Sequence, residues 1–239
     1  METLLAGSKV FKYHITMSVL PYIATAFPAY LLGSIPFGLL VARARGVDIR
    51  AVGSRNIGAT NVFRCVGKPW GILTFALDFL KGYAGAALVP ALAVRLAGAD
   101  PGGLALTGGA AAVVGHTWPV FAGFKGGKGV ATGFGMLIAI VPAAVGIAFG
   151  AWLVVLAVSR YVSLASVLAA AVLAALVWCP RFCGDLPSSI VISILALAVV
   201  VRHHANIARL MRGTEARFSF TAAQKAREEA RRAERGIQS

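Results

Sequence analysis

The sequence contains few charged residues for its length of 239 residues. Only 13% of the residues are Asp, Glu, Lys or Arg, whereas 58% are hydrophobic, and the mean hydropathy is +0.78. A soluble domain carries about 25% charged residues. This composition therefore excludes an ordinary soluble globular protein, and a single integral membrane domain is sufficient for the length.

Several signatures of enzymes and metal sites are also missing. The chain contains no H-x-x-x-x-D base–acid pair, no G-x-S-x-G nucleophile elbow and no H-E-x-x-H metal pair. If the protein is an enzyme, it does not rely on a standard nucleophile or a metal ion. It has three cysteines, and the sequence leaves open whether Cys179 and Cys183 form a disulfide.

The positive charge is large and concentrated in two places. The formal net charge is +14. Six Lys or Arg residues lie between Arg43 and Lys68 against one acidic residue, and nine lie between Arg202 and Arg235 against four glutamates. Such clusters mark the cytoplasmic side of a membrane protein and attract anionic lipid headgroups. Because these residues are distributed among hydrophobic segments, we expect no nucleic-acid partner.

Hydrophobic runs recur along the chain, and about 20 apolar residues are enough to cross a bilayer as a helix. The clear candidates are 16–41, 71–96, 102–121, 161–178 and 187–202. The first contains Pro21, Pro28 and Pro36, which predict kinks. We assign residues 1–215 to a membrane-embedded domain and residues 216–239 to a basic, mixed-charge cytoplasmic tail.

The segment 130–158 can form one long helix or a hairpin that breaks at Pro142. The basic loop at 43–70 and the C-terminal tail are both predicted to be inside, so the chain must return inside near Arg160. Only the hairpin satisfies this requirement. We therefore predict an all-α, polytopic membrane helix bundle of about seven transmembrane helices, some short or kinked. Its N-terminus lies outside, and its glycine-rich loops and C-terminus lie on the cytoplasmic side.

Three polar segments interrupt the hydrophobic runs, and this topology places all three on the cytoplasmic side. The first combines "GSIPFG" at 33–38 with "DIRAVGSRNIGATNVFR" at 48–64. Glycines let backbone amides converge on an anion, and small polar side chains add donors. The candidate phosphate-binding residues here are Arg50, Ser54, Asn56, Thr60 and Asn61. The alternative is an ordinary loop with a helix cap.

The second segment is "GHTWPVFAGFKGGKGVAT" at 115–132. Its glycines leave room for a ligand to touch the backbone, a lysine adds positive charge, and a helix begins at Val130, where the helix dipole favours an anion. The candidate binding residues are Gly126, Gly127, Lys128 and Gly129. The spacing is not that of a Walker A loop. The alternative is a tight turn whose lysines only follow the positive-inside rule.

The third segment is "RHHANIARLMRGTEARFS" at 202–219. His203 and Asn206 are three residues apart and share one face of a helix. His203 there can act as a base or donate to a phosphate, but contact with lipid headgroups is the alternative. Elsewhere, we predict that Asp78 and Lys81 form a structural ion pair within an apolar span.

Together these segments resemble the bacterial acyl-phosphate:glycerol-3-phosphate acyltransferase family. The matching segments are "GSIPFG", "DIRAVGSRNIGATN", "DFLKG", "GHTWPVFAGFKGGKGVAT" and "RHHANIARLMRGTE". They occur in the family's order and cover residues 30–215. One departure is Arg55, where the family usually has glycine.

The resemblance implies a seven-helix enzyme of the bacterial inner membrane with its active site facing the cytoplasm. The implied reaction transfers an acyl group from acyl phosphate to the 1-hydroxyl of glycerol 3-phosphate, without cofactor or metal. By resemblance, the polar active-site set is Ser34, Arg50, Lys128, His203 and Asn206, and the motif glycines with Thr60 and Asn61 form the phosphate-binding loops. We also expect contact with membrane lipids and favour a monomer. The competing hypotheses are a transporter of a small anion such as phosphate and a non-catalytic scaffold that binds headgroups.

Overall fold

The computed structural model describes residues 19–97 and 101–219, and within these residues the chain is helical, with no strand. The helices are α1 (19–33), α2 (Phe37–Ala44), α3 (Ala59–Cys65), α4 (Lys68–Ala97), α5 (Pro101–Thr117), α6 (Val130–Ile140), α7 (Pro142–Ser159), α8 (Val162–Leu176), α9 (Leu186–Arg202) and α10 (His204–Met211). Residues 220–239 of the predicted mixed-charge tail lie outside the described residues.

Seven apolar segments account for the predicted membrane bundle in the described part of the chain. Four are long and apolar enough to cross a bilayer, namely Val19–Ala44, Lys68–Arg95, Gly103–Ala122 and Pro142–Ser159. Helices α9 and α10 pass the same test as a pair that bends by 51°. Helices α6 and α8 are shorter apolar helices. This pattern confirms an all-α bundle in which some members are short or bent.

The predicted hairpin around Pro142 is confirmed by contacts at one end of the bundle. Lys128 lies just before α6, and its side chain bonds to Asn206. Asn206 and Ser163 both donate to the carboxylate of Glu215, and Ser163 lies at the start of α8. Because α6 and α8 begin at the same end, α7 must bring the chain back to that end.

The backbones of α4 and α6 touch through glycines. A Cβ atom on Gly82 would lie 2.0 Å from the carbonyl oxygen of Thr132, and one on Gly135 would lie 1.9 Å from that of Phe79. Helices in membranes associate closely where small residues let their backbones approach. Helix α4, which packs most extensively on α5 and α6, therefore forms the centre of the bundle.

The first polar loop has an apolar core of its own. Leu39, Ile49, Ile57 and Val62 are buried together, and Ala122 of the glycine-rich segment joins this cluster. The hydrophobic contact holds the first and second polar segments against each other, although they are far apart in sequence.

The loop between α8 and α9 lies at the opposite end of the bundle. Cys179 is exposed, Cys183 is buried, and both are free, so this structure contains no disulfide between them. Asp185 caps α9 by accepting a hydrogen bond of 2.7 Å from the backbone amide of Ser188.

Arg55 has a left-handed backbone conformation, with φ of 57°. An L-residue with a Cβ atom pays about 1–2 kcal/mol for this conformation, which glycine adopts freely. The preceding Gly53 is also left-handed, with φ of 58°. The glycine that the resemblance leads us to expect at the position of Arg55 would adopt this conformation without that penalty.

We predict that Arg55→Gly stabilises the protein by about 1 kcal/mol, because it removes the penalty of the left-handed conformation. Thermal unfolding in detergent measures the change. Arg55→Ala is the control, since it removes the exposed charge but keeps the Cβ atom, and it should give no gain. Equal stabilisation by both variants would show that the guanidinium group, and not the backbone, is responsible.

Candidate active site

The three polar segments meet around one cavity of about 530 Å³. Its polar end is lined by Ser54, Asn56, Thr60, Asn61, Lys128, Gly129, His203 and Asn206. From there the cavity continues between α6, α7, α8 and α9 along apolar side chains that include Phe134, Phe149, Leu173 and Ile192. The cavity therefore joins a polar compartment to a long hydrophobic one.

A hydrogen-bonded network crosses the polar end. The Lys128 ammonium donates to Oδ1 of Asn206, and Asn206 Nδ2 donates to Glu215 Oε1 over 2.7 Å. Ser163 donates to the same carboxylate oxygen over 2.9 Å, and Arg209 Nε donates to Oε2 over 2.7 Å. The single carboxylate thus accepts hydrogen bonds from three side chains, those of Ser163, Asn206 and Arg209, and it is linked to Lys128 through Asn206.

The electrostatics of this network favour an anion in the cavity. Burial, with a smaller contribution from nearby arginines, lowers the pKa of Lys128 to about 8 against the opposing charge of Glu215. Burial alone would raise the pKa of Glu215, but hydrogen bonds from Asn206, Arg209 and Ser163 outweigh it and hold the pKa below its ordinary value. Lys128 is therefore protonated near neutral pH but easily deprotonated above it.

His203 lies at the bend between α9 and α10, buried at 3% exposure. Its Nδ1 is 2.7 Å from the carbonyl oxygen of Val199, which can only accept, so Nδ1 carries the proton and Nε2 keeps its lone pair. Burial, together with the charge of Lys128, lowers the pKa of His203 to about 4. The imidazole is consequently neutral at pH 7 and available as a hydrogen-bond acceptor.

Two arginines hold the glycine-rich loop by its carbonyl oxygens. Arg50 Nη2 donates to the carbonyls of Ala122 and Lys125, each over 2.8 Å. Arg202 Nη2 donates to those of Gly126 and Gly127, each over 3.1 Å. Arg50 does not line the cavity, so the contacts in this structure suit support of the loop better than direct contact with a phosphate.

Gly126 and Gly127 form the back of this loop. A Cβ atom on Gly126 would lie 2.1 Å from the carbonyl oxygen of His116, and one on Gly127 would lie 2.0 Å from its Nε2. Gly129 has a left-handed φ of 81° and caps the start of α6 beside Lys128. The two close contacts and the positive φ explain why glycine is required at each position.

In the first polar segment, asparagine side chains mostly shape the loop. Asn61 Oδ1 accepts from the amide of Ser54 over 3.0 Å, and Asn61 Nδ2 donates to the carbonyls of Ile49 and Val52. Asn56 Oδ1 accepts from the amide of Gly58 over 2.8 Å. The amide side chains of Asn56 and Asn61 thus bond to the loop's own backbone, while Ser54 and Thr60 line the cavity.

Ser34 lies in the turn between α1 and α2 and is fully buried. Its hydroxyl has no hydrogen-bond partner in the structure, and it does not line the large cavity. The neighbouring Gly33 packs directly on α5, where a Cβ atom would lie 2.1 Å from the carbonyl of Ala112. The predicted polar set therefore converges on one end of the bundle, where Ser34 is buried in the protein and does not line the cavity.

Sequence reasoning missed three residues of this site, namely Ser163, Arg202 and Glu215. Ser163 opens α8 just after Arg160, and Arg202 and Glu215 stand within the third polar segment, so each had a weak signal. Only the folded chain shows that they bond to the residues above. Among the described residues, no group of three or more His, Cys, Asp and Glu side chains has a metal-binding arrangement.

The fold and the site together define an integral membrane protein with a cationic, glycine-lined pocket at one end of its bundle. That pocket opens into an apolar cavity between helices. Such a site suits a ligand with an anionic head and an apolar tail.

Comparison with known proteins identifies the class further. Residues 23–213 match the family model described as glycerol-3-phosphate acyltransferase, and the chain belongs to this family. Relatives of that name are 46% identical in Aquifex aeolicus and 47% identical in Geobacter sulfurreducens. The alignment with the Aquifex aeolicus protein covers 80% of this chain and 95% of that relative. The alignment with the Geobacter sulfurreducens protein covers 80% of this chain and 94% of that relative.

Two solved structures are also similar. One is described as PlsY, an integral membrane glycerol 3-phosphate acyltransferase, in its glycerol 3-phosphate form, with a TM-score of 0.73 and 42% identity. The superposition covers 83% of this chain and 96% of the PlsY chain. The other is the lysophosphatidic acid form of PlsY, with a TM-score of 0.71 and 41% identity. The protein is therefore a multi-pass membrane acyltransferase.

We predict that Arg202→Gln raises the KM for glycerol 3-phosphate about tenfold, because it replaces a charged donor shared by two loop carbonyls with a neutral one. Steady-state kinetics in detergent measure this change. Arg212→Gln is the matched control, because Arg212 is exposed beyond α10. Equal effects of both changes would show that net charge, and not the loop contact, is responsible.

We predict that kcat/KM for glycerol 3-phosphate falls as the pH rises through about 8, since Lys128 then loses the proton that attracts the phosphate. Lys128→Arg should move this fall to higher pH, because a guanidinium stays protonated. A pH profile that is identical for the wild type and Lys128→Arg would show that Lys128 is not the group whose titration causes the fall.

Proposed function

We propose that the protein transfers an acyl group from acyl phosphate to the 1-hydroxyl of sn-glycerol 3-phosphate. The products are lysophosphatidate (1-acyl-glycerol 3-phosphate) and inorganic phosphate, and the step is the first acylation in phospholipid synthesis. The observation that carries the proposal is the continuity of the cavity, whose cationic polar end joins an apolar length. The relatives' names support glycerol 3-phosphate as acceptor, and the donor is our inference.

The chemistry asks for little beyond binding and charge stabilisation. The 1-hydroxyl oxygen attacks the acyl carbonyl carbon, the bond from that carbon to the phosphate oxygen breaks, and phosphate leaves. The hydroxyl proton goes either to His203 or to a phosphate oxygen of a substrate. Because phosphate is a good leaving group, orientation and a fixed positive environment suffice, and an acyl-enzyme is unnecessary.

We assign roles to the polar set on this basis. Lys128 and the amides of the glycine-rich loop hold the leaving phosphate, while His203 and Asn206 orient glycerol 3-phosphate. Because Lys128 bonds to Asn206, we place the acceptor against the same loop, so that displacement of the loop also weakens binding of glycerol 3-phosphate. The Nε2 lone pair of His203 suits it to accept from the hydroxyl. We assign Arg50 to support of the loop, and not to the predicted contact with phosphate, because it donates to the carbonyls of Ala122 and Lys125.

The two substrates differ in solubility, and the position of the site suits both. Acyl phosphate approaches from the lipid with its tail between α6 and α9, and glycerol 3-phosphate approaches from water. We propose that the water-facing side is the cytoplasm and that the membrane is the bacterial inner membrane, consistent with the positive charge around this end. We propose that the protein acts as a monomer with membrane lipid around it.

We predict that Lys128→Ala and His203→Ala each reduce turnover at least about tenfold, the low end for groups that stabilise charge or move a proton. The assay uses purified protein in detergent, acyl phosphate and labelled glycerol 3-phosphate, and it detects lysophosphatidate. Lys125→Ala and His204→Ala are matched controls, because both side chains are exposed neighbours of the site residues.

The same assay separates the competing functions. Product formed in detergent from acyl phosphate supports the enzyme, and product formed only from an acyl thioester would reject the proposed donor. Phosphate flux in sealed vesicles without product would favour a transporter, and ligand binding without product would favour a scaffold. Near-normal turnover in both folded alanine variants would reject the assigned residues.

A further inference from the structure

Three ionisable side chains are buried together beneath the turn that carries Ser34 and the glycine-rich loop between α5 and α6. Asp78 and Lys81 lie one turn apart on α4, with Asp78 Oδ1 2.8 Å from Lys81 Nζ. His116 lies near the end of α5, and its Nδ1 is 3.5 Å from the same carboxylate oxygen. All three are at most 5% exposed, and Asp78 and His116 also line the large cavity.

Stability alone does not explain such a cluster. Removing charges from water is costly, and apolar residues of similar size often stabilise a core as well or better. Inside a membrane bundle, ionisable side chains are correspondingly rare and usually functional. The function of the cluster is therefore indicated by the contacts that Lys81 and His116 make outside it.

Lys81 reaches the first polar segment. Its Nζ donates to the carbonyl of Ile35 over 2.8 Å and lies 5.5 Å from the ring centre of Phe37. Ile35 follows Ser34 in the turn between α1 and α2. The ammonium group thus anchors the backbone of the turn that carries the unbonded Ser34 hydroxyl.

His116 reaches the second polar segment. The backbone amide of Gly127 donates to the His116 carbonyl over 3.1 Å. The imidazole lies directly beneath Gly127, where an added Cβ atom would approach Nε2 to 2.0 Å. The glycine-rich loop therefore rests on both the backbone and the ring of His116.

We propose that Asp78, Lys81 and His116 form a positioning unit that holds the Ser34 turn and the glycine-rich loop in a fixed relation for binding glycerol 3-phosphate. Asp78 is the shared partner, and it joins a contact to Ile35 on one side with a contact to Gly127 on the other. The inference rests on the proposed function of this site. It assigns these three residues to positioning, since none is proposed to touch a reacting atom.

The decisive variant is the double change Asp78→Leu with Lys81→Met, which removes both charges and keeps apolar bulk. If the pair only stabilised the bundle, the double variant would keep wild-type kinetics whenever it folds. We expect instead an unfolding temperature close to that of the wild type, but a KM for glycerol 3-phosphate raised at least about tenfold, as misplacement of binding groups would cause. Calorimetric titration with glycerol 3-phosphate alone should show the same loss.

A second variant keeps the test independent of the folding of the first. His116→Ala leaves the ion pair intact but removes the ring under Gly127, and it should also raise the KM about tenfold or more. His116→Asn restores a donor near the position of Nδ1 and should recover part of the affinity. Ser189→Ala is the control, because it removes a buried hydroxyl that bonds to Val177 at the far end of the bundle.

The outcomes distinguish this inference from the proposed function. A wild-type protein that makes no lysophosphatidate from acyl phosphate contradicts the proposed function, while the titration with glycerol 3-phosphate still tests the positioning unit. An active wild type together with unchanged KM and affinity in His116→Ala overturns the positioning unit. Unchanged kinetics in a folded double variant overturn it as well.

Discussion

The structure depends on one constraint, namely that irregular backbone at the edge of a membrane bundle must find hydrogen-bond partners within the protein. The glycine-rich loop between α5 and α6 satisfies this constraint through Arg50 and Arg202. Their guanidinium groups donate hydrogen bonds to the carbonyl oxygens of residues 122, 125, 126 and 127. A loop fixed through its carbonyls depends less on its amides for support, and of these the amide of Gly127 donates to the His116 carbonyl. The loop can therefore be rich in glycine and still be well positioned.

Charge is balanced incompletely around the site, and this is consistent with anionic substrates. Glu215 orients Lys128 through Asn206, and it pairs directly with Arg209. One carboxylate faces several cations, so the site has an excess of positive charge. Burial makes this charge sensitive to pH, since the pKa of Lys128 is lowered to about 8. We expect a bound phosphate to offset part of the free-energy cost of burying the Lys128 charge, because it would supply negative charge beside it.

Much of the architecture was predictable from local properties of the sequence. Hydropathy located the spans, and the distribution of Arg and Lys required the return of the chain near Arg160, which the hairpin around Pro142 provides. The convergence of Lys128, His203 and Asn206 on one cavity was also predicted. The buried pair of Asp78 and Lys81 was predicted, but its contacts with the two loops were not, because they depend on how α4 packs against α2 and α5.

The hydrogen-bond partners of individual polar side chains could not be predicted from residue type alone. Arg50 was predicted to bind phosphate because a guanidinium suits one, yet in the fold it donates to Ala122, which is 72 residues away along the chain. Asn61, likewise, bonds to backbone groups of its own loop. Residue type states what a side chain can bind, but the nearest partner is set by packing.

The sequence by itself determined the class of the protein, the approximate spans and the common end of the bundle at which the polar loops lie, because hydropathy and charge act locally and add along the chain. The tertiary structure alone decided which donors face the cavity and which hold the backbone. The physical reason is that a buried polar group must be paired where it lies, and the distances that decide each pairing exist only after distant helices have come together.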